Sequence, residues 1–322
     1  MIVPQHWAEA KIKTKIAGRQ YTIKRFGWSD QSLEAAQTHA EQRVAEAIER
    51  IKAGENIRRI DHKVPYNGAE GVPIREQIIA QQEDVVITRN AYGALCLNTP
   101  DVLFADIDFE YTPPFKLRLV AFLLLLLISV ASAIYTASWI ALGVGCVLSF
   151  ILTGLVTKIL FNLHSKFGGT PEQRALASIQ NFSKQHPTWH LRVYLTPKGY
   201  RVLVMHQTFD PHSDEAQSLF NAIKADPNYV RMCKNQNCFR ARISPKPWRI
   251  GVNRLRLGVW PVSEERLAIR ENWVLDYQKR AENYASCKFV AQLGSQTIHA
   301  KAKRVQSIHD QYCKSDTRLD IA

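Results

Sequence analysis

LVAFLLLLLISVASAIYTASWIALGVGCVLSFILTGLV, Leu119 to Val156, is the stretch on which the rest of this chain depends. It has no charged residue over about 38 positions, and a single helix of that length would run about 57 Å against a hydrocarbon core of about 30 Å. Two helices of about 18 residues each fit instead, joined near Tyr135-Thr136-Ala137-Ser138, where the run briefly turns polar. One long tilted helix ending in water and a buried soluble hairpin are the competing readings. LVAFLLLLLISVA has no polar face, which argues against the second. A hairpin returns both flanks to one side of the bilayer. Lys116 and Arg118 precede the block and Lys158 and Lys166 follow it, so the positive-inside rule places both ends in the cytoplasm.

The flanks read as parts of one soluble domain interrupted by the hairpin. Outside the block the 322-residue chain keeps enough length for one large domain or two small ones. Its formal charge of +13 suits anionic lipid head groups, nucleic acid or nucleotides without choosing between them; positive-inside bias supplies part of it. MIVPQHWAEAK lacks the apolar core of a secretory signal. Six cysteines are scattered, and a disulfide framework is not expected in a cytoplasmic chain of this size. Cys233 and Cys238, with Cys287 and a histidine, are a weak zinc spacing beside the plainer reading of buried thiols.

In chain order, RQYTIKRF (19–26) alternates as a strand, and Ser29 or Asp30 caps a helix over 32–53 that Gly54 ends. Asn67-Gly68 and Gly71 mark turns in a glycine-rich segment able to approach phosphate but matching no Walker loop. Pro73 opens a short helix, 74–81. Three strands (85–88, 94–97 and 102–109) then form an antiparallel meander. Beyond the hairpin come a helix over 171–185, a β-hairpin over 191–206 turning at Thr196-Pro-Lys-Gly199, and a helix over 214–225 stopped by Asp226-Pro227. A strand over 238–243, a helix over 263–285, a strand at SCKFVAQLG, a basic helix over 298–312 and a frayed tail complete it.

The third strand of the meander carries the sharpest chemistry. Alternation puts Asp106, Asp108 and Glu110 on the face that begins with Val102 and Phe104. Carboxylates about 7 Å apart at Cα on one face can share Mg²⁺ or Mn²⁺ for phosphoryl or nucleotidyl transfer; a solvated strand face is the alternative. His206, at the end of a later strand, is a candidate proton shuttle or metal ligand. Arg240, Arg242, Lys246 and Arg249 suit phosphate, or equally a basic face resting on lipid. No Ser-His-Asp triad, Cys-His pair or Rossmann loop follows from spacing.

FGWSD (26–30), KVPYNGAEGVPIRE (63–76), VITRNAYGALCLNTPDVLFADIDF (86–109) and QNCFRARISPKPWRIG (236–251) resemble a family of uncharacterised bacterial transmembrane proteins, chiefly proteobacterial. The resemblance spans most of the chain, implies the bacterial inner membrane, and brings no activity. More faintly, the order of acidic strand, helix, Gly-aromatic hairpin and basic strand is similar to the archaeo-eukaryotic primase-type nucleotidyltransferase core. That likeness implies a metal-binding role for Asp106 and Asp108. Here Arg201 stands where that core places a histidine, no third acidic motif is evident unless it is Asp210, and the membrane hairpin is foreign to it. These departures weigh against polymerase activity more than against nucleotide or oligonucleotide binding.

The expected architecture is α+β, an antiparallel sheet with flanking helices interrupted by a two-helix transmembrane hairpin. Residues 1–115 and 163–262 form the halves of the cytoplasmic domain, 116–162 the hairpin and 263–322 a helical extension. The expected function is binding of a nucleotide or other phosphorylated ligand with a divalent metal, with its transfer as an extension of that role. The alternative is a non-enzymatic module docking anionic lipid or a protein through its basic surface. Whether the chain catalyses any reaction is open.

Overall fold

A computed structural model describes residues 3–61 and 72–322. The turns expected at Asn67-Gly68 and Gly71 lie outside these. Two compact units emerge: Met1–Ile107 with Phe182–Ala322, and Asp108–Asn181. Segments before and after the apolar block therefore fall in the same unit.

That unit begins with a long hairpin, β1 (His6–Ile16) and β2 (Arg19–Ser29). Its two-residue turn puts both Ala17 (φ 47°) and Gly18 (φ 79°) in the left-handed region, the geometry that matches strand twist. Helix α1 (Leu33–Lys52) is capped by Ser32, whose Oγ accepts from Ala35 N at 3.1 Å. It packs Ala40, Val44 and Ala47 against Ala10 and Ile23. Gly27 makes that approach possible, because a Cβ there would stand 2.1 Å from the Ala36 carbonyl oxygen.

Strands β3 (Gln77–Gln82), β4 (Val85–Arg89), β5 (Leu95–Thr99) and β6 (Phe104–Asp108) follow. The helix expected over 74–81 is in fact strand β3, which pairs with β4 through an irregularity between Ile78 and Ala80. The expected meander also splits: β4 and β5 pair, while β6 leaves for a second sheet.

Helices α2 (Phe115–Thr136) and α3 (Trp139–Phe167) form the other unit, together with most of α4 (Pro171–Gln185). Ala137 makes the left-handed turn between α2 and α3, and Ser138 caps α3. Both are long and apolar enough to cross a membrane. Leucines 123, 124 and 127, with Ile151 and Leu155, remain exposed, unlike the side chains of a soluble core helix. Contact between α2 and α3 runs through small residues: Ser129 and Ser149 hydroxyls lie 2.9 Å apart, and Gly145 faces Ser129.

The remaining elements are β7 (His190–Thr196), β8 (Gly199–Val204), α5 (Asp214–Ala222), α6 (Pro227–Gln236), β9 (Phe239–Arg242), α7 (Glu264–Ala281), β10 (Tyr284–Ala285), β11 (Lys288–Gly294), α8 (Ala300–Cys313) and β12 (Asp320–Ile321). They complete two four-stranded sheets, in the orders β3-β4-β5-β9 and β11-β7-β8-β6. In each, a strand from before the apolar block pairs with one from after it. Leu97 sits opposite Ala241, and Val204 N donates to Leu103 O at 3.0 Å. Asp226-Pro227 stops one helix as expected but also starts α6, with Asp226 as its cap. The tail is not frayed: β12 pairs with β10, and Ala322 is buried.

Candidate functional site

The acidic strand ends in an ion pair. Asp106 on β6 receives two hydrogen bonds from one guanidinium, Arg201 Nε to Oδ1 at 2.7 Å and Nη2 to Oδ2 at 3.1 Å. Arg201 is 2% exposed, and its remaining Nη1 donates to the Arg242 carbonyl at 2.8 Å. Burial opposes the guanidinium's charge, but Asp106 outweighs it and holds the proton more firmly than usual. Both carboxylate oxygens that would bind Mg²⁺ or Mn²⁺ are thus engaged by the residue standing where the resemblance implied a histidine. Asp108 and Glu110 are exposed beyond the strand's buried part. Among the described residues, no group of three potential ligands assembles around Asp106.

His206 lies two residues beyond the far end of β8. Five residues past Arg201, it lies about 16 Å further along an extended chain, ringed by Trp189 (4.9 Å) and Phe209 (5.6 Å). Its Nδ1 accepts from His190 N, and burial, then His190, push its pKa down. It is not brought to the acidic strand. Asp210 accepts from His212 N at 2.6 Å in a turn before α5.

The basic cluster divides. Arg240 is buried, and its Nη2 donates to both oxygens of Glu76 at 2.8 and 2.6 Å. Glu76 also accepts from Thr88, which accepts from Asn98, so Arg240 fastens β9 into its sheet. Arg242 is half-buried. Lys246 and Arg249, both half-buried, flank a short turn, and the Arg249 Nη1 is itself buried. In that turn Trp248, 49% exposed, has Lys246 Nζ at 5.6 Å and the Arg254 guanidinium at 5.7 Å from its ring, while Tyr92 packs edge-on at 5.2 Å. Arg254 was not among the residues expected from sequence; its link to Trp248 depends on a loop returning to Tyr92, whose carbonyl accepts from Leu255 N.

The cysteines regroup as well. Cys287 does not join Cys233 and Cys238 but gathers with His309 and Cys313, their ligand atoms all within 4.8 Å of one another. All six cysteines are free thiols. Helix α8 lies across the face that bears Tyr194, Arg201 and Asp106, with His309 between Phe104 (5.3 Å) and Tyr194 (4.7 Å). His309 Nδ1 bonds Asp310 Oδ1 at 2.9 Å, and Asp310 in turn accepts from Arg192 and Gln306. A hydrogen bond from Cys313 and the charge of His309 hold the Cys287 thiol well below its ordinary range, against burial. The sequence signal for this group was the i, i+4 spacing of His309 and Cys313 on one helix face.

Comparison with family models, with curated proteins and with solved structures found no match for this chain.

Proposed function

We propose that this protein is a non-enzymatic membrane-anchored module whose soluble unit docks on anionic lipid head groups. One observation carries the reading: Trp248 stands half-exposed between Lys246 and Arg254, with Arg249 in the same turn. An amphipathic indole beside basic side chains suits the head-group region. The other candidate charges support the same choice, since Asp106 and Arg240 are committed to internal partners. A chain with two helices able to cross a bilayer also keeps a lipid surface within reach. At about 1 kcal/mol per basic residue near an anionic leaflet, Lys246 and Arg254 together contribute about 2 kcal/mol.

The test uses the full chain in nanodiscs of zwitterionic lipid, with or without anionic lipid. Amides over 246–256 should gain protection from hydrogen exchange only with anionic lipid. That protection should fade as salt shortens the screening length, vanish in Lys246→Glu/Arg254→Glu, and survive chelation of divalent ions. Equal protection in both lipids, or a requirement for a divalent ion, overturns the reading.

A further inference from the structure

We propose that Cys287, His309 and Cys313 bind one Cu(I) ion in a three-coordinate, two-sulfur, one-nitrogen site. The three side chains are wholly buried, and their ligand atoms already converge. Cys287 Sγ and His309 Nε2 are 3.9 Å apart. Metal–ligand bonds of about 2.0–2.3 Å put trigonal donors about 3.5–4.0 Å from one another, so an ion fits between them with little movement.

The surroundings orient the histidine for this task. With Nδ1 hydrogen-bonded to Asp310, Nε2 is the nitrogen directed at Cys287, and an ion binding there would displace its proton and take up the lone pair. A carboxylate behind a ligating imidazole is the usual second tier of a metal site. Asp310 is itself tied to Arg192 and Gln306 and is not a fourth ligand. Arg201 Nη1 approaches Nε2 at 3.4 Å, longer than its 2.8 Å bond to the Arg242 carbonyl, so it can yield that contact and keep its stronger one.

Two features select the ion. Among the described residues the group holds three ligands, whereas structural zinc takes four; soft thiolates favour Cu(I). Two thiolates with a monovalent ion also make a centre of net charge −1, which the adjacent Arg201 guanidinium stabilises. Two thiolates with a divalent ion are neutral and gain nothing from it. A nucleophilic role for Cys287 would need substrate to reach a thiol that is 0% exposed.

The experiment is anaerobic titration of the reduced, detergent-purified full chain with Cu(I), in competition with a chromophoric Cu(I) chelator. One equivalent should be retained by the parent and by Cys238→Ala, and lost in Cys287→Ala and in Cys313→Ala. X-ray absorption on the loaded parent, which needs no variant to fold, should show two sulfurs and one nitrogen about a three-coordinate copper. No copper retained beyond the cysteine variants, a shell without sulfur, or a zinc ion that Cu(I) fails to displace would each overturn the assignment.

Discussion

Replacing Asp106 with Asn separates a structural carboxylate from a functional one. In the structure Asp106 is the counter-ion of Arg201, a guanidinium 2% exposed, while the Asp106 side chain is 33% exposed. The substitution keeps the shape but leaves a positive charge buried without a counter-ion, and breaking such a pair costs about 3–5 kcal/mol. Arg201→Met leaves the opposite orphan, a carboxylate already one-third in water that can rehydrate. Its ion-pair penalty should be smaller, about 1–3 kcal/mol, to which the loss of the donor on the Arg242 carbonyl adds about 1 kcal/mol. The double variant removes both charges and should recover much of the Asp106→Asn loss. For a unit of roughly 250 residues, about 2 °C accompanies each kcal/mol, so Asp106→Asn should lower the melting temperature by about 6–10 °C. The assay is thermal melting of the detergent-solubilised chain, followed by tryptophan fluorescence for all four proteins. A metal-ligating aspartate predicts the reverse, because removing a carboxylate from an acidic cluster leaves an apo-protein as stable or more so. An Asp106→Asn protein that melts with the parent would therefore refute the ion-pair account and restore the acidic strand as a site.

Other elements yield sharper, smaller tests. Gly27→Ala puts a methyl against the backbone of α1; overpacking of this kind costs about 1–3 kcal/mol, and hydrogen exchange should report faster opening of α1, with unchanged exchange refuting the close approach. Ser129→Cys/Ser149→Cys, in a Cys146→Ala background, should cross-link α2 to α3 under mild oxidation, because the hydroxyls they replace are 2.9 Å apart; absence of a cross-link would mean that the helices pair elsewhere. Burial raises the Glu9 carboxyl, but Lys24 and Arg75 outweigh it and hold its pKa below the ordinary value. Its stabilising contribution is therefore present above the unfolded pKa of about 4.3 and lost as pH falls through the lower folded value. The melting difference between parent and Glu9→Gln should shrink on acidification through that window, and a difference that grows would contradict the sign.

Much of the fold was legible because its signals are local. Ser213 before α5, Thr196-Pro-Lys-Gly199 between β7 and β8, and the apolar block with its polar interruption at Thr136–Ser138 each carry their structure in a few adjacent residues. Strand β1 escaped notice because the residue that accepts the first positive φ of its turn is Ala17, not an asparagine or aspartate. Pro73 and the run after it look like a helix start, yet Gln77–Gln82 finds strand β4 beside it, and cross-strand pairing overrides local preference. The tail becomes β12 only because Tyr284–Ala285 offers an edge.

Partners of charged side chains lie at the far end of this scale. Alternation along β6 correctly put Phe104 and Asp106 on one face, and the sequence shows that the face turns from apolar to acidic. What meets the acid there comes from 95 residues away, beyond the apolar block, and is a guanidinium. A planar fork donating two hydrogen bonds to one carboxylate does electrostatically what a divalent ion would do for a pair of them: it cancels the charge and fixes the rotamer. Once Arg201 occupies that position, the strand needs no ion to be stable. Arg201's inward side then faces His309 and the two thiols, so the group that closes one candidate metal site supplies the positive field for another. An acidic pair on a strand marks a place where positive charge is required; which cation answers it is decided by the residue opposite on the neighbouring strand.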